Sequence, residues 1–249
     1  MMATSGNSRK PEVAVVLAGG FGTRLRSALA GKPKVLAPVA GHPFLGYLLK
    51  YISGQGISKV ILSTGYLANQ VRAFAGNGAH WGLETKYIEE PSPLGTGGAL
   101  RLASEGVAGP FFALNGDTLF LVDFEKLWNY HRACDAAATL TLVQSHDQEA
   151  RGNVQLAKNG MITRFEEKPP EAFARDNDLV SGGIYVLTQE ALADIPPGEN
   201  VSIERQVFPR LAEQGKLAGF VQDAYFADIG TPESLLDFER DMMEGKVPL

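Results

Sequence analysis

A glycine-rich segment ending in an arginine follows the first apolar run of the chain, and these residue types suit a bound phosphate. Residues 13–17 read VAVVL, which is typical of a buried parallel strand, and residues 18–24 read AGGFGTR. Glycines let main-chain N–H groups approach a phosphate closely, and Arg24 adds a charged fork of donors. Ligands of open α/β sheets bind at this carboxyl edge. A purely structural turn is the alternative for this segment.

Two familiar phosphate motifs do not fit this segment. A dinucleotide fingerprint, as in nicotinamide-dependent dehydrogenases, requires glycine where Leu25 stands. A Walker loop requires glycine at Arg26 and a hydroxyl residue at Pro33. The segment therefore predicts a phosphate loop of another kind. Lys34 is a second candidate contact, because Pro33 holds the chain extended beside it, although a solvated loop is the alternative there.

Two aspartates follow short apolar runs and are candidates for a metal site. Asp117 and Asp228 each end an apolar strand pattern, and two carboxylates at neighbouring strand ends would make a hard oxygen site. Magnesium takes one or two carboxylates together with phosphate oxygens. The alternative is a tight hairpin, because the pair Asn115 and Gly116 between apolar runs is also a strong turn signal.

Five segments in order resemble the sugar-1-phosphate nucleotidylyltransferases, and the resemblance covers residues 13–240. They are GGFGTRL at 19–25 with Pro33 and Lys34 after it, PLGTGGAL at 93–100, LNGD at 114–117, FEEKP at 165–169 and FADIGTP at 226–232. Within the family, LGTGGA and SGGIY are most similar to guanylyltransferases that act on D-glycero-α-D-manno-heptose 1-phosphate, and next to those that act on mannose 1-phosphate. A charged strand end is the alternative for FEEKP.

The resemblance implies Mg²⁺-dependent transfer of a guanylyl group from GTP to a sugar 1-phosphate, giving a GDP-sugar and pyrophosphate for surface polysaccharide synthesis. It implies that Arg24 holds the leaving phosphates, that Lys34 meets the α-phosphate region and that Lys168 binds the sugar phosphate. Asp117 completes the catalytic set and holds the metal with Asp228. Nucleotide contacts fall on Leu17, Ala18, Gly19, Gly20, Gly22, Thr23, Glu90, Gly95 and Thr96, and sugar-phosphate contacts on Asn115, Glu167, Lys168, Ser181 and Gly182.

The resemblance assigns the choice of nucleobase and the choice of sugar to two positions of the chain. The family residue three before Pro93 faces the base, and here it is Glu90. A carboxylate only accepts hydrogen bonds, which suits the ring N–H and amino group of guanine, whereas glutamine would suit uracil or thymine. Gly95 would let the base approach the main chain. The family often has asparagine where Ser181 stands, so the expected sugar contact there changes to a hydroxyl.

Alternating strand and helix patterns predict the elements that position these residues. The fold class is a Rossmann-like three-layer α/β/α sandwich with a mixed, mostly parallel central sheet. We expect a flexible leader over 1–11 and a single domain over 12–249, with a nucleotide-binding half about 12–120 and a sugar-binding half about 121–249. Strands are expected at 13–17, 59–63, 84–88, 111–114, 138–143, 153–156, 161–165, 179–187, 217–221 and 224–227, and helices at 44–52, 67–75, 96–103, 123–132, 202–214 and from 231. Residues 169–178 are expected to form a mobile loop.

Composition excludes several classes of protein. The net charge of −5 argues against nucleic-acid and membrane-surface partners, and no apolar run approaches the roughly 20 residues of a membrane span. The single cysteine, Cys134, forms no internal disulfide, and a reducing cytoplasm is the expected location. Cys134 and the four histidines are expected to be structural or surface residues. A homo-oligomer is compatible with the sequence. The sequence also allows other functions. They are those of a mannose-1-phosphate guanylyltransferase, of a uridylyl or thymidylyl relative, and of a regulatory subunit that binds nucleotide sugars without turnover.

Overall fold

The computed structural model describes residues 9–20, 22, 25, 29, 31–145, 152–167 and 178–249. In these residues the strands are β1 Val13–Leu17, β2 Pro38–Val39, β3 His42–Pro43, β4 Lys59–Thr64, β5 Glu84–Glu89, β6 Phe111–Asn115, β7 Thr118–Phe120, β8 Ala138–Ser145, β9 Asn153–Leu156, β10 Ile162–Glu166, β11 Asp178–Leu187, β12 Leu217–Val221 and β13 Phe226–Asp228. The α-helices are α1 Phe44–Gly54, α2 Ala68–Ala75, α3 Gly95–Ala103, α4 Phe124–Cys134, α5 Gln189–Leu192, α6 Phe208–Glu213 and α7 Pro232–Met243. Residues 169–177 of the expected mobile loop lie outside the described residues.

The main sheet is mixed and has nine strands in the described part of the chain. Strand β1 lies between β4 and β6 and is parallel to both, and β5 is parallel to β4. Strand β11 is antiparallel to β6 and to β8, while β12 is parallel to β8. The hairpin of β9 and β10 joins the sheet beside the first half of β11. The predicted mixed sheet is therefore confirmed.

Alternate residues of the central strands enter two separate apolar clusters, one on each face of the sheet. Val16, Leu62 and Leu114 pack with helices α1, α2, α4 and α7. Their neighbours Val15 and Ala113 face the other way and pack with α3, α5 and α6. Because successive side chains of a strand point to opposite faces, these clusters define three layers. No helix in the described ranges combines the length and apolar composition needed to cross a membrane.

The turn after β6 is not a hairpin, so that alternative for Asn115 and Gly116 is wrong. Strand β7 does not return along β6 but pairs with β13 in a small separate sheet, with Thr118 opposite Asp228. The reason is local, since the N–H of Gly116 donates to the carbonyl of Leu17 at 3.0 Å and ties the turn to β1 instead.

The segment after Ser202 begins as expected but does not form one α-helix. Ser202 accepts a hydrogen bond from the N–H of Arg205, and the turn that it caps, Ile203–Val207, is π-helical. Helix α6 follows with Pro209 in its first turn. Because proline has no N–H, the carbonyl one turn earlier loses its α-helical donor at this junction. The last strand is also shifted, to Phe226–Asp228.

Asp123 caps helix α4, and this cap makes a stability prediction. Its Oδ1 accepts from the N–H groups of Glu125 at 2.9 Å and Lys126 at 3.0 Å. We expect Asp123→Ala to lower the free energy of unfolding by about 1 kcal/mol, because two helix N–H groups lose their acceptor. Asp123→Asn keeps a side-chain oxygen and should retain most of that stability. Urea unfolding of the three proteins checks this, and an alanine variant as stable as the parent would contradict it.

Candidate functional site

A cavity of about 520 Å³ opens at the carboxyl ends of strands β1, β4, β5 and β6. Ligand sites of mainly parallel α/β sheets lie at this edge. Nine of the residues expected to bind substrates or metal line it, namely Leu17, Gly19, Gly20, Lys34, Glu90, Gly95, Thr96, Asn115 and Asp117. The sheet therefore gathers side chains from four strand ends around one space.

Two glycines permit the backbones that leave these strands to come into contact. A Cβ on Gly116 would collide with the carbonyl oxygen of Leu17. A Cβ on Gly19 would lie 2.6 Å from Glu90 Oε1 and 3.1 Å from the nitrogen of Gly65. Position 116 requires glycine because the atom it would meet is a backbone oxygen, and a side chain at position 19 would displace the Glu90 carboxylate and crowd the backbone of Gly65.

Glu90 is a half-buried carboxylate held over the glycine loop. Its Oε2 accepts from the N–H of Leu94 at 3.1 Å, and its Oε1 accepts from Ser63 Oγ at 3.4 Å. Burial raises the pKa of Glu90, and these two hydrogen bonds oppose the rise. The neighbouring Glu89 is exposed and ends β5, so Glu90 is the carboxylate that lines the cavity.

Lys34 and Asp117 meet at the opposite side of the cavity. Pro33 precedes a single 3₁₀ turn, Lys34–Leu36, whose Val35 and Leu36 are buried. The Lys34 side chain is only 13% exposed and forms an ion pair with Asp117 Oδ2. Asp117 Oδ1 accepts from Thr118 Oγ1 at 3.2 Å. A cation is thus placed beside a carboxylate at the end of β6.

Asp117 and Asp228 belong to segments that the backbone joins directly. The N–H of Ile229 donates to the carbonyl of Asp117 at 2.9 Å, and Asp228 lies opposite Thr118 in the β7–β13 pair. Within the described residues no three His, Cys, Asp or Glu side chains gather into a metal cage. Magnesium needs only one or two carboxylates when phosphate oxygens and water complete its shell, so this oxygen donor set fits it.

The glycines at the start of α3 pack against a later loop. Gly95 has φ +67°, and a Cβ there would lie 2.6 Å from the carbonyl oxygen of Val201. A Cβ on Gly98 would lie 2.5 Å from the carbonyl oxygen of Glu199. Asn200 Nδ2 donates to the carbonyl of Pro93 at 2.8 Å and also lines the cavity. Position 95 therefore requires glycine because of its packing against Val201, in addition to the expected approach of a base.

A second group of polar side chains lies behind Asn115. The Oδ1 atom of Asn115 is buried and accepts no hydrogen bond from the described residues. Tyr185 lies 3.5 Å, hydroxyl to hydroxyl, from Ser181. The pKa of Tyr185 is raised by burial first and then by the charges of Glu204 and Glu167. Hydroxyl, amide and carboxylate groups thus lie close to the end of β6, and of these Asn115 lines the cavity.

The remaining predicted residues divide into two sets. Six described residues lie outside the cavity lining, namely Ala18, Gly22, Glu167, Ser181, Gly182 and Asp228. Ala18 is buried, and Gly182 passes so close to Phe120 that a Cβ would collide with its ring. Three expected residues, Thr23, Arg24 and Lys168, lie outside the described residues.

Nine other lining residues were not among the predicted site residues, and Gly65, Tyr66 and Asn200 are three of them. Gly65 and Tyr66 directly follow β4, next to β1 in the sheet, and the rule that ligands bind at carboxyl strand ends could have found them. Asn200 carries no such signal, because it reaches the cavity from a loop far along the chain.

A three-layer α/β/α sandwich whose strand ends present glycine backbone, a lysine and carboxylates to one cavity has the arrangement of a nucleotide-binding protein. The chain belongs to the nucleotidyl transferase family, whose sequence profile matches residues 13–245. The resemblance found in the motifs is thereby confirmed.

Two relatives and one solved structure show which members of the family this chain is similar to. The chain is 38% identical to the mannose-1-phosphate guanylyltransferase of Mycobacterium tuberculosis over 94% of its own length and 66% of that protein's, so it spans just under two thirds of that relative. It is 35% identical to the D-glycero-alpha-D-manno-heptose 1-phosphate guanylyltransferase of Aneurinibacillus thermoaerophilus, over 92% of this chain and 97% of that one. The crystal structure of HddC from Yersinia pseudotuberculosis superposes with a TM-score of 0.80 at 29% identity, covering 92% of this chain and 99% of that one.

The raised pKa of Glu90 gives a prediction on stability. Burial raises its pKa above 4.5, so the stability that Glu90 contributes is complete at acid pH and is lost as the pH rises through the raised pKa. Glu90→Gln keeps the shape and an acceptor for Leu94 but carries no charge. We expect the ligand-free variant to be at least as stable as the parent at pH 7, with a difference that shrinks as the pH falls below 4.5.

Chemical denaturation at several pH values measures this difference. Glu89→Gln is the matched control, because Glu89 is exposed and its replacement should change neither stability nor pH dependence. A Glu90→Gln variant that is less stable than the parent at pH 7 would show that the ionised carboxylate stabilises the loop.

Proposed function

We propose that this protein transfers a guanylyl group from GTP to a sugar 1-phosphate with the help of Mg²⁺. The observation that carries the proposal is the polarity of the cavity. Glu90 offers only acceptors at one side, whereas Lys34 offers a cation beside Asp117 at the other. A guanine nucleotide has matching polarity, since its base edge donates hydrogen bonds and its phosphates accept them.

Guanine is favoured over uracil or thymine by the chemistry of Glu90. A carboxylate can accept from the ring N–H and the exocyclic amino group of guanine together. Glu90 already accepts one hydrogen bond on each oxygen, and each oxygen keeps a further lone pair. The two relatives compared above are named as guanylyltransferases, and HddC was also solved in complex with GMP-PN.

The reaction needs positioned charges rather than a protein nucleophile. An oxygen of the sugar phosphate attacks the α-phosphorus in line, forming a new P–O bond while the bond to pyrophosphate breaks. Lys34 would neutralise charge on the phosphates, and Asn115, which lines the cavity, would contact the sugar phosphate as the family resemblance implies. Asp117 and Asp228 would hold Mg²⁺, which when bound neutralises charge on the phosphate oxygens. Arg24 and Lys168 keep the roles that the family resemblance gives them.

We propose D-glycero-α-D-manno-heptose 1-phosphate as the acceptor, with surface polysaccharide synthesis as the use of the product. The heptose relative supports this choice because the two chains match over nearly their full lengths. Mannose 1-phosphate is the second candidate, which the identity of 38% to the mycobacterial enzyme supports. The cytoplasm is the proposed location, since GTP is the proposed donor.

The first test is pyrophosphate release in a panel of substrates. We expect release with Mg²⁺, GTP and the heptose phosphate, and little with ATP, CTP, UTP or dTTP. Release with GTP and mannose 1-phosphate would keep the reaction and change the sugar. Binding of a GDP-sugar without any release from the panel would support a regulatory subunit and overturn the proposed activity.

Glu90→Gln in the same panel tests the base contact. Glutamine replaces one acceptor by a donor, so kcat/KM with GTP should fall about tenfold relative to kcat/KM with UTP. Glu89→Gln should leave the ratio unchanged. An unchanged ratio in the Glu90 variant would move base recognition to another part of the cavity.

Asp117→Asn tests the metal assignment. The amide keeps the shape but loses the charge that binds Mg²⁺ and pairs with Lys34, so kcat should fall by about a hundredfold or more. Asp223→Asn is the control, because Asp223 is an exposed aspartate close to β13. Mg²⁺ affinity measured by calorimetry with nucleotide present should fall in parallel. Comparable activity in Asp117→Asn and the parent would contradict the assignment.

A further inference from the structure

The hydroxyl group of Thr96 donates its proton to a hydrogen bond within the protein. Thr96 Oγ1 lies 2.6 Å from Glu204 Oε2, and the N–H of Ile203 donates to the same Oγ1 at 2.9 Å. A carboxylate has no proton to give, so the hydroxyl must donate to Glu204. One of its two lone pairs accepts from Ile203. Thr96 therefore has one lone pair left and no proton to offer a ligand.

The main chain beside Thr96 offers few donors to a ligand. The N–H groups of Gly97 and Gly98 both donate to the carbonyl of Val201, at 2.8 and 3.3 Å. The glycine-rich start of helix α3 thus binds a carbonyl of its own chain, where an isolated helix start would offer these donors to a phosphate. Together with the acceptor character of Thr96, this makes the surroundings of Thr96 poor in donors.

Glu204 is itself held in a fixed orientation. The same oxygen, Oε2, also accepts from Ser202 Oγ at 2.8 Å, and the Ser202 side chain in turn caps the π-helical turn Ile203–Val207. Glu204 lies on that turn, and its charge contributes to the raised pKa of buried Tyr185. Single π-helical turns are frequent at functional sites.

We infer that Glu204 is a positioning residue that turns Thr96 into a hydrogen-bond acceptor for the nucleoside part of the substrate. Thr96 lines the cavity on the same side as Glu90, whose Oε2 accepts from Leu94 two residues before Thr96. The partner is an N–H or O–H donor of the nucleoside, supplied by the amino group of guanine or by a ribose hydroxyl. The inference rests on the proposed use of GTP.

Two isosteric variants test the inference. Thr96→Val removes the hydroxyl, and Glu204→Met removes the acceptor that holds its proton. We expect each to raise KM for GTP about tenfold with little change in kcat, which is the loss of about one hydrogen bond in nucleotide binding. Thr96→Ser and Glu204→Gln keep a hydroxyl and an acceptor and should stay within about threefold of the parent. Thr163→Val, at an exposed position of β10, is the matched control.

Nucleotide analogues separate a ligand contact from a structural effect. Inosine triphosphate lacks the amino group, and the 2′-deoxy and 3′-deoxy forms of GTP each lack one hydroxyl. In the parent, the analogue without the relevant donor should bind about tenfold more weakly than GTP. In Thr96→Val a deoxy analogue that lacks the relevant hydroxyl should bind as well as GTP does, whereas inosine triphosphate should keep only the weakening that comes from the lost Glu90 contact. The double variant with Glu204→Met should be no worse than Thr96→Val.

The outcomes distinguish this inference from the proposed function. If the parent releases no pyrophosphate from GTP with any acceptor, the proposed function fails. If the parent is active but Thr96→Val and Glu204→Met discriminate among all four nucleotides as the parent does, Thr96 accepts nothing from the nucleoside and the inference fails. Equal weakening for every nucleotide, together with a lower melting temperature, would show a structural role and would also overturn it.

Discussion

Close contact between backbones at the edge of the sheet is the constraint on which the site depends. The chain leaving β1 touches the chain leaving β4 at Gly19 and Gly65, and it touches the chain leaving β6 at Gly116. A Cβ at Gly116 would collide with the carbonyl oxygen of Leu17, and a Cβ at Gly19 or Gly65 would make a tight contact with the other backbone, at 3.1 and 3.3 Å. Glu90 would then lose its place over Gly19. The segments that leave β1, β4 and β6 therefore come together at glycines, and this close approach shapes the cavity.

The sequence predicted most of the fold because most of its signals are local. Buried parallel strands produce continuous apolar runs, and these located β1, β4 and β6 almost to the residue. The last helix was found from Thr231 and Pro232, and the structure shows Thr231 in a reciprocal cap with Ser234. The pairing of β7 with β13 was missed because these three-residue strands are joined across a long separation in sequence. The π-helical turn was missed because no composition rule identifies one.

The candidate site was predicted where its residues lie at strand ends or within the family motifs. Lys34 and Asp117 were each chosen for their own local pattern and the family resemblance, and the structure brings them into an ion pair. Asn200 and Glu204 come from a loop and a turn whose positions depend on how that part of the chain packs on α3. That packing needs glycine at positions 95 and 98, and Gly95 was predicted for another reason, the approach of the base.

The contact between residues 199–204 and α3 also bears on how the chain is divided into halves. Asn200 lines the same cavity as Gly19, so the cavity draws on residues from both sides of position 120. Hydrogen-bond acceptors and a cation lie at different sides of this cavity. Acceptors of Glu90 and Thr96 lie on the side of β5 and α3, and the cation of Lys34 lies beside Asp117. A nucleotide can satisfy both ends in only one direction, with its donor-bearing nucleoside toward α3 and its phosphates toward Lys34.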